Sequence, residues 1–491
     1  MLENIIDPIL TASKYFNDKI LWGPWTMIFI AAAAVYFTWL SGFFQFRRPI
    51  YLYKNTFGKI FSKTKIAGGR MTPFQAVSTA LAGTVGTGNI AGVAAALAAG
   101  GAGAIFWMWV MALLGMMLKT AEVTLAVHYR DVDKNGDLHG GPMYYIKKGL
   151  GWNFLVPIFC FGVFTNSFMG AALIQPHTVG RAFVKSTFTI YNDSVDPYII
   201  CATMALITGF VVIGGIKRIG QFCSRLVPVM SLVYIVGGVC VFIFKYDQIP
   251  VVFAQIISTA FRPEPVVGGA VGITVIKVIQ EGMAKGMYSN EAGQGTAPMA
   301  HATAHTDHPF QQGVWGAFEV FVDTMLICTI TAFAVLSTGV ISSGQTGIDL
   351  VISAFEVVFP AEIAGVIIYF CILTFCLSTQ IGFFVYYETS LVSIFGKKVM
   401  KYFKWAYLVP GIIFAGVGEG PRVDKLWAFA TISAALCALP NLVAVFALSG
   451  TFKKLMMDYL SGKNEYATEK VDASKQYIKM ARKENHGERI D

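Results

Sequence analysis

The feature that most constrains this chain is its succession of long apolar blocks. A helix needs about 20 consecutive apolar residues to cross the hydrocarbon of a bilayer, and the sequence offers about eleven such stretches. They fall at 22–45, 73–100, 103–128, 153–183, 197–215, 226–245, 266–287, 311–338, 361–392, 405–419 and 425–449. A soluble domain carries roughly 25% charged residues, whereas this 491-residue chain has 14% and is 55% hydrophobic. Too little charge remains to coat a water-facing surface, so the expected class is an all-α integral membrane protein embedded in the lipid bilayer.

The formal charge of +9 does not argue for nucleic acid, because the cations are spread over short loops between apolar spans. They alternate in density from side to side. Arg47, Arg48, Lys54, Lys59, Lys63, Lys65 and Arg70 follow the first span, and Arg130, Lys147, Lys148, Lys217, Arg218, Arg225, Lys397, Lys398, Lys453 and Lys454 share that side. Lys245, Arg262 and Arg422 are among the few opposite. Positive loops stay cytosolic, which predicts an N-terminus outside and a C-terminus in the cytosol. Met1-Leu2-Glu3-Asn4 lacks the basic start of a signal peptide, so the first span is expected to be retained. The cysteines, such as Cys201, Cys240, Cys328 and Cys371, sit singly in apolar spans. Neither a disulfide nor an obligate protein partner is expected.

Two spans carry glycine where a helix does not want it. The second contains Gly83-Thr84-Val85-Gly86-Thr87-Gly88-Asn89, and the seventh begins Val267-Gly268-Gly269-Ala270-Val271-Gly272. Interior glycine costs about 1 kcal/mol relative to alanine, and backbone freed from a helix survives in lipid only where protein or a cavity satisfies it. Paired interrupted spans in matching positions of two halves point to a transporter site. With the first span as an extra, spans two to six and seven to eleven form two halves of five, each opening on its interrupted helix. The division is 1–72 for an N-terminal segment with its basic loop, 73–245 and 246–450 for the repeats, and 451–491 for a charged tail. Close helix packing also uses small residues, and that reading competes for the run from Ala91 to Gly103.

At these residues the sequence resembles the alanine or glycine:cation symporters, the sodium:alanine symporter family. The resemblance rests on Gly86-Thr87-Gly88-Asn89-Ile90-Ala91-Gly92-Val93, Gly140-Gly141-Pro142-Met143-Tyr144-Tyr145, Gly214-Gly215-Ile216-Lys217-Arg218-Ile219 and, most specifically, the block from Ser289 through Asn290-Glu291-Ala292-Gly293-Gln294-Gly295-Thr296-Ala297-Pro298 to His301. It implies a leucine-transporter-type core of ten helices in a 5+5 inverted repeat after one additional helix, no enzymatic activity, and sodium-driven import of a small neutral amino acid such as alanine, glycine, serine or glutamine. It also implies roles. Gly86, Thr87, Gly88 and Asn89 would cradle the substrate carboxylate. A sodium ion would lie between the carbonyls of Ala82 and Val85 and the hydroxyls of Ser378 and Thr379, which are hard oxygen ligands suited to an alkali cation. Read from its own helix, the Ser378-Thr379 pair can equally be bonded to carbonyls one turn back. Gln175 would face either substrate or a neighbouring helix, and Gly269, Gly272 and Thr274 would offer backbone and hydroxyl from the seventh span.

The sequence departs from the family's pattern at four positions. Gln380 and Phe383 stand where the family has Ile and Trp, and Ala172 and His177 stand where it has Asn. These leave the narrow alanine or glycine preference open. Among ionisable residues, Lys119 and Glu122 (i, i+3) and Glu281 and Lys285 (i, i+4) read as same-face pairs, while Glu319 and Asp323 are like charges that each need a separate partner. A proton-coupled carrier, with His177 or Glu281 titrating, is the competing function. Enzyme motifs fail: His301 and His305 lack the Glu of a zinc helix, with Ala302 in its place. If Phe383 sets the pocket's width, Phe383→Trp is expected to weaken competition by larger amino acids such as glutamine relative to alanine in an uptake assay.

Overall fold

The computed structural model describes residues 23–60, 71–132, 137–185, 189–190, 193–194, 196–262, 274–416 and 421–468. It is all-α apart from two short antiparallel ribbons, β1 (Asp131–Val132) with β2 (Leu138–His139) and β3 (Thr189–Ile190) with β4 (Asp193–Ser194).

Helix α1 (Pro24–Leu40) precedes the first interrupted span. That span is α2 (Pro73–Thr84), a wide π-type turn at Gly88–Gly92, and α3 (Val93–Gly100). A capping box starts α2: the Thr72 hydroxyl accepts from Gln75 N–H, and the Gln75 side chain accepts from Thr72 N–H, both at 3.0 Å. Helix α2 stops because Val85 turns to extended backbone (φ −77°, ψ 99°), and the chain resumes bent by 55°. Helix α4 (Gly103–His128) is the central post, with 83% of its most apolar stretch buried inside the protein. After it come α5 (Leu155–Thr165) and α6 (Gln175–Lys185), one span joined through the π-type stretch Asn166–Ile174. Next are α7 (Pro197–Val212), α8 (Gly215–Phe244) and the amphipathic α9 (Ile249–Phe261).

The second half opens with α10 (Val275–Asn290), a non-helical stretch at 291–296 and the short α11 (Ala297–His301). One long span follows, α12 (Pro309–Val320) and α13 (Thr329–Thr338) joined through Phe321–Cys328. Then come α14 (Gly347–Glu356), the 35-residue α15 (Ala361–Phe395), α16 (Pro421–Ala447) and α17 (Ser449–Ser461). Five helices are long and apolar enough to cross a membrane, or up to seven if each bent pair is one span, among the described residues.

The interruption expected at Gly268–Gly272 lies outside the described residues, since 263–273 are not among them; within the described residues α10 is followed by a break at 291–296. The expected span 405–419 is no single helix but the pieces Met400–Ala406 and Pro410–Ile413, because Pro410 lacks the N–H to continue the first piece. The tail is also docked in part. The Asp458 carboxylate accepts from Glu465 and Tyr466 N–H and faces the His308 ring at 3.1 Å, and Thr468 N–H donates to Asp307 O.

Two kinds of contact hold the core. One is close approach: a Cβ on Gly382 of α15 would lie 2.6 Å from Gly83 N, so α2 and α15 cross backbone to backbone. The other is buried charge. Lys119 does not pair with Glu122; its ammonium lies 3.4 Å from Glu319 of α12, both side chains fully buried. Glu319 also bonds the His301 ring at 2.9 Å, and Gln312 bonds the other ring nitrogen at 2.8 Å. Glu122 instead accepts from Gly293 N–H at 3.2 Å and from the Asn441 amide of α16, which also donates to Gly293 O at 2.8 Å. The i, i+3 spacing brought these charges to one face, but the backbone and amide donors of the break compete better for Glu122. Glu281 and Lys285 form no ion pair among the described residues.

Removing one partner of a buried pair costs about 3–5 kcal/mol, because the other charge is stranded, whereas replacing both with neutral groups is often neutral. Glu319→Ala is therefore expected to lower the melting temperature of the purified protein in detergent sharply. The double substitution Lys119→Met with Glu319→Gln should recover most of that loss.

Candidate functional site

The two breaks meet. Asn89, on the π-type turn of the first, is fully buried, and its side-chain oxygen accepts from Gly86 N–H at 2.9 Å. Its amide nitrogen donates to Asp323 Oδ1 at 2.7 Å and to the Ser289 hydroxyl at 3.1 Å. Ser289, in the last turn of α10, in turn donates to Asp323 Oδ2 at 2.7 Å, and Thr324 donates to the same oxygen at 2.9 Å. Thr331 of α13 donates to Asn89 O at 2.7 Å. Asp323 is thus the common anchor of both interrupted spans.

Between the breaks lies a pocket enclosing about 430 Å³, its mouth included. Gly83, Gly86, Thr87 and Gly88 form one wall, Asn166 and Gln175 of the α5–α6 span another, Thr379 and Phe383 of α15 a third, and Tyr288, Ser289, Glu291 and Gln294 the last. Thr87 and Gly88 begin a helical segment, and first-turn N–H groups have no partner within their own helix. This wall therefore offers backbone donors at the positive end of a helix dipole. Gln175, 6% exposed, approaches Thr87 Oγ1 with its nitrogen at 3.5 Å, and its oxygen has no hydrogen-bond partner among the described residues. The Thr379 hydroxyl is shared between Phe375 O of its own helix (2.9 Å) and Val85 O across the break (3.2 Å). Ser378 bonds back to Phe375 O at 2.8 Å.

Of the residues expected at a site, Gly86, Thr87, Gly88, Gln175, Thr379 and Phe383 line this pocket, and Asn89 lies directly behind it. Val85 is joined to Thr379, while Ala82 is fully buried against Gly382 of α15. Gly269 and Gly272 lie outside the described residues. Thr274 is not brought to the pocket. It is exposed and caps α10, accepting from Lys277 N–H at 3.3 Å. Its helix meets the pocket at Tyr288 and Ser289, fourteen residues on, or about 20 Å at 1.5 Å per residue.

Among the family departures, only Phe383 reaches the pocket. Gln380 turns to Thr208 of α7 at 2.9 Å, and Ala172 and His177 are buried outside the lining. Asn166, Tyr288, Ser289, Glu291, Gln294 and Asp323 were not anticipated as site residues. The run Glu291-Ala292-Gly293-Gln294-Gly295-Thr296 carries the same mixture of glycine and small polar residues as 83–89, and that signal could have located the second break.

Membrane-length apolar helices and two interrupted helices joined around one polar pocket are the features of a membrane carrier. A profile of the sodium:alanine symporter family matches residues 9–473. The chain belongs to that family, whose members are transporters, not enzymes. It is 35% identical over 442 residues to the sodium/alanine symporter AgcS of Methanococcus maripaludis, covering 88% of this chain and 93% of that one. It is 34% identical over 450 residues to the probable sodium/glutamine symporter GlnT of Bacillus subtilis, covering 90% and 89%. Among solved structures, MhsT in complex with L-phenylalanine matches 82% of this chain and 98% of that one, at 13% identity and a TM-score of 0.49.

Glycine is required at position 86, because a Cβ there would lie 2.5 Å from Thr379 Oγ1. Overpacking of this kind costs about 1–3 kcal/mol. Gly86→Ala is expected to cut substrate uptake at least about tenfold while the purified protein still elutes as a single folded species.

Proposed function

We propose that this chain is a sodium-coupled symporter that imports small neutral amino acids, such as alanine, glycine, serine or glutamine, by alternating access. The observation that carries the reading is the double use of one break. Thr87 and Gly88 line the pocket at the start of a helical segment, where their N–H groups would meet an amino acid carboxylate. The break's carbonyl at Val85 accepts from the Thr379 hydroxyl, and neutral oxygens of this kind suit sodium. Ala82 O and Ser378 complete the proposed ion site. Gln175 would accept from the substrate with its free oxygen. The relatives' names support amino acid and sodium as a pair. The working arrangement is two five-helix halves, 73–245 and 246–450, moving against each other in a cell membrane, with the N-terminus outside and the C-terminus cytosolic.

A proton-coupled carrier is the second reading, and one observation favours it. The Asp323 carboxylate reaches Asn89 in the core of the second span, where the sequence alone offered only neutral oxygens. Uptake into proteoliposomes, with a panel of labelled amino acids and separately imposed sodium and proton gradients, distinguishes the two. Accumulation driven by sodium alone supports the first reading, and accumulation driven by protons alone replaces it. Thr379→Ala is then expected to raise the sodium concentration for half-maximal uptake about tenfold, the effect of losing one hydrogen-bonding group to an ion. Unchanged sodium activation would remove Thr379 from the site.

A further inference from the structure

The pocket holds one charged side chain among its described lining residues, and the function proposed above gives it no task. Glu291 is 4% exposed. One of its oxygens accepts from the Thr296 hydroxyl at 2.6 Å, and the other has no hydrogen-bond partner among the described residues. Lys119, whose charge acts on Glu291 through the protein, is itself engaged by Glu319 at 3.4 Å. Glu291 therefore faces the pocket with no ion pair of its own among the described residues, and a buried carboxylate without a direct counter-charge is heavily penalised.

The backbone makes the same point. Glu291 ends α10 in the left-handed region at φ 54°, one of three non-glycine residues to do so among the described residues. Glycine or asparagine normally fills such a helix end. Strained backbone of this kind gathers at ligand sites. The strain turns the chain so that residues 291 and 294 follow Tyr288 and Ser289 into the pocket wall.

The opposite wall supplies the complement. Ser289 lies against Gly88, whose Cβ would fall 3.9 Å from Ser289 Cα, so the donors of the first break and the acceptor of the second bound one small space. Gln175 adds a second unpartnered acceptor from the side. Donors on one wall and acceptors on the other match the two ends of a zwitterion. We propose that Glu291 binds the ammonium group of the substrate, and that this pairing makes the carrier selective for α-amino acids with a free amino group over hydroxy acids and deaminated acids of the same size. The Thr296 hydroxyl holds the carboxylate on station, and Gln175 takes a further N–H. The substrate then brings its own counter-charge, which balances Glu291 only when the site is filled. This inference rests on the amino acid reading above.

The test is displacement of a labelled amino acid from the purified protein in saturating sodium, using L-alanine, L-lactate and propionate as competitors. The wild type is expected to bind alanine at least about thirtyfold more tightly than either acid, the scale of a desolvated charge pair. Glu291→Gln should weaken alanine about thirtyfold or more, bring it close to lactate, and leave the sodium midpoint measured without amino acid within about twofold. Should Glu291→Gln fail to fold, Glu291→Asp keeps the charge and should still bind alanine well ahead of lactate. Equal alanine affinity in wild type and Glu291→Gln overturns the assignment, as does a Glu291→Asp protein that binds alanine and lactate alike. A sodium midpoint that moves in step with alanine would make Glu291 a cation ligand instead. A wild type that binds no amino acid at all would remove the functional reading itself, a result separate from any failure of Glu291.

Discussion

A helix broken in the middle of a membrane has to find partners for the backbone it frees, and here one side chain does most of that work. Asn89 accepts from Gly86 N–H with its oxygen and donates to Asp323 and Ser289 with its nitrogen. The first contact closes the break in the second span, and the others join it to the seventh and eighth. Asp323 can only accept when ionised, so it fixes which way the Asn89 amide points. Reversing that amide would set oxygen against oxygen at Asp323 and nitrogen against nitrogen at Gly86. The site's shape is therefore an electrostatic consequence of one buried carboxylate.

The surrounding charges act as a frame for the second break. Glu122 and Asn441 hold Gly293 by both its N–H and its carbonyl, and Glu319 holds His301, the last residue of α11, against Lys119. Arg130, at the end of α4, donates to the carbonyl of Ala304 at 2.8 Å just beyond. Residues 291–304 are thus pinned along one side to α4 and α12 while facing the pocket on the other. Each polar side chain that is costly in lipid has a structural or ligand-facing role at this seam.

Much of this was legible in the sequence because lipid punishes irregular backbone. The glycine run at 83–89 located the first break and the residues lining it, and the length of the apolar blocks established the membrane class. The break at 291–296 went unread because the glycine run at 267–272, which lies outside the described residues, drew the expectation for the second interrupted helix. The partners of Glu319 and Asp323 were out of reach for another reason. Helical spacing reveals only neighbours on the same helix, whereas Asn89 meets Asp323 across 234 positions of chain.

Two broken helices tied at Asn89 and Asp323 should bind ion and amino acid as one event, because the break that offers donors to one offers carbonyls to the other. Thermodynamic linkage makes that claim measurable, since each ligand must change the other's affinity by the same factor. The direct measurement is a calorimetric titration of the purified protein with alanine at several sodium concentrations, and the reverse titration with sodium at several alanine concentrations. The predicted result is that sodium tightens alanine binding at least about fivefold and alanine tightens sodium binding equally. Alanine affinity that is the same with and without sodium would contradict the account.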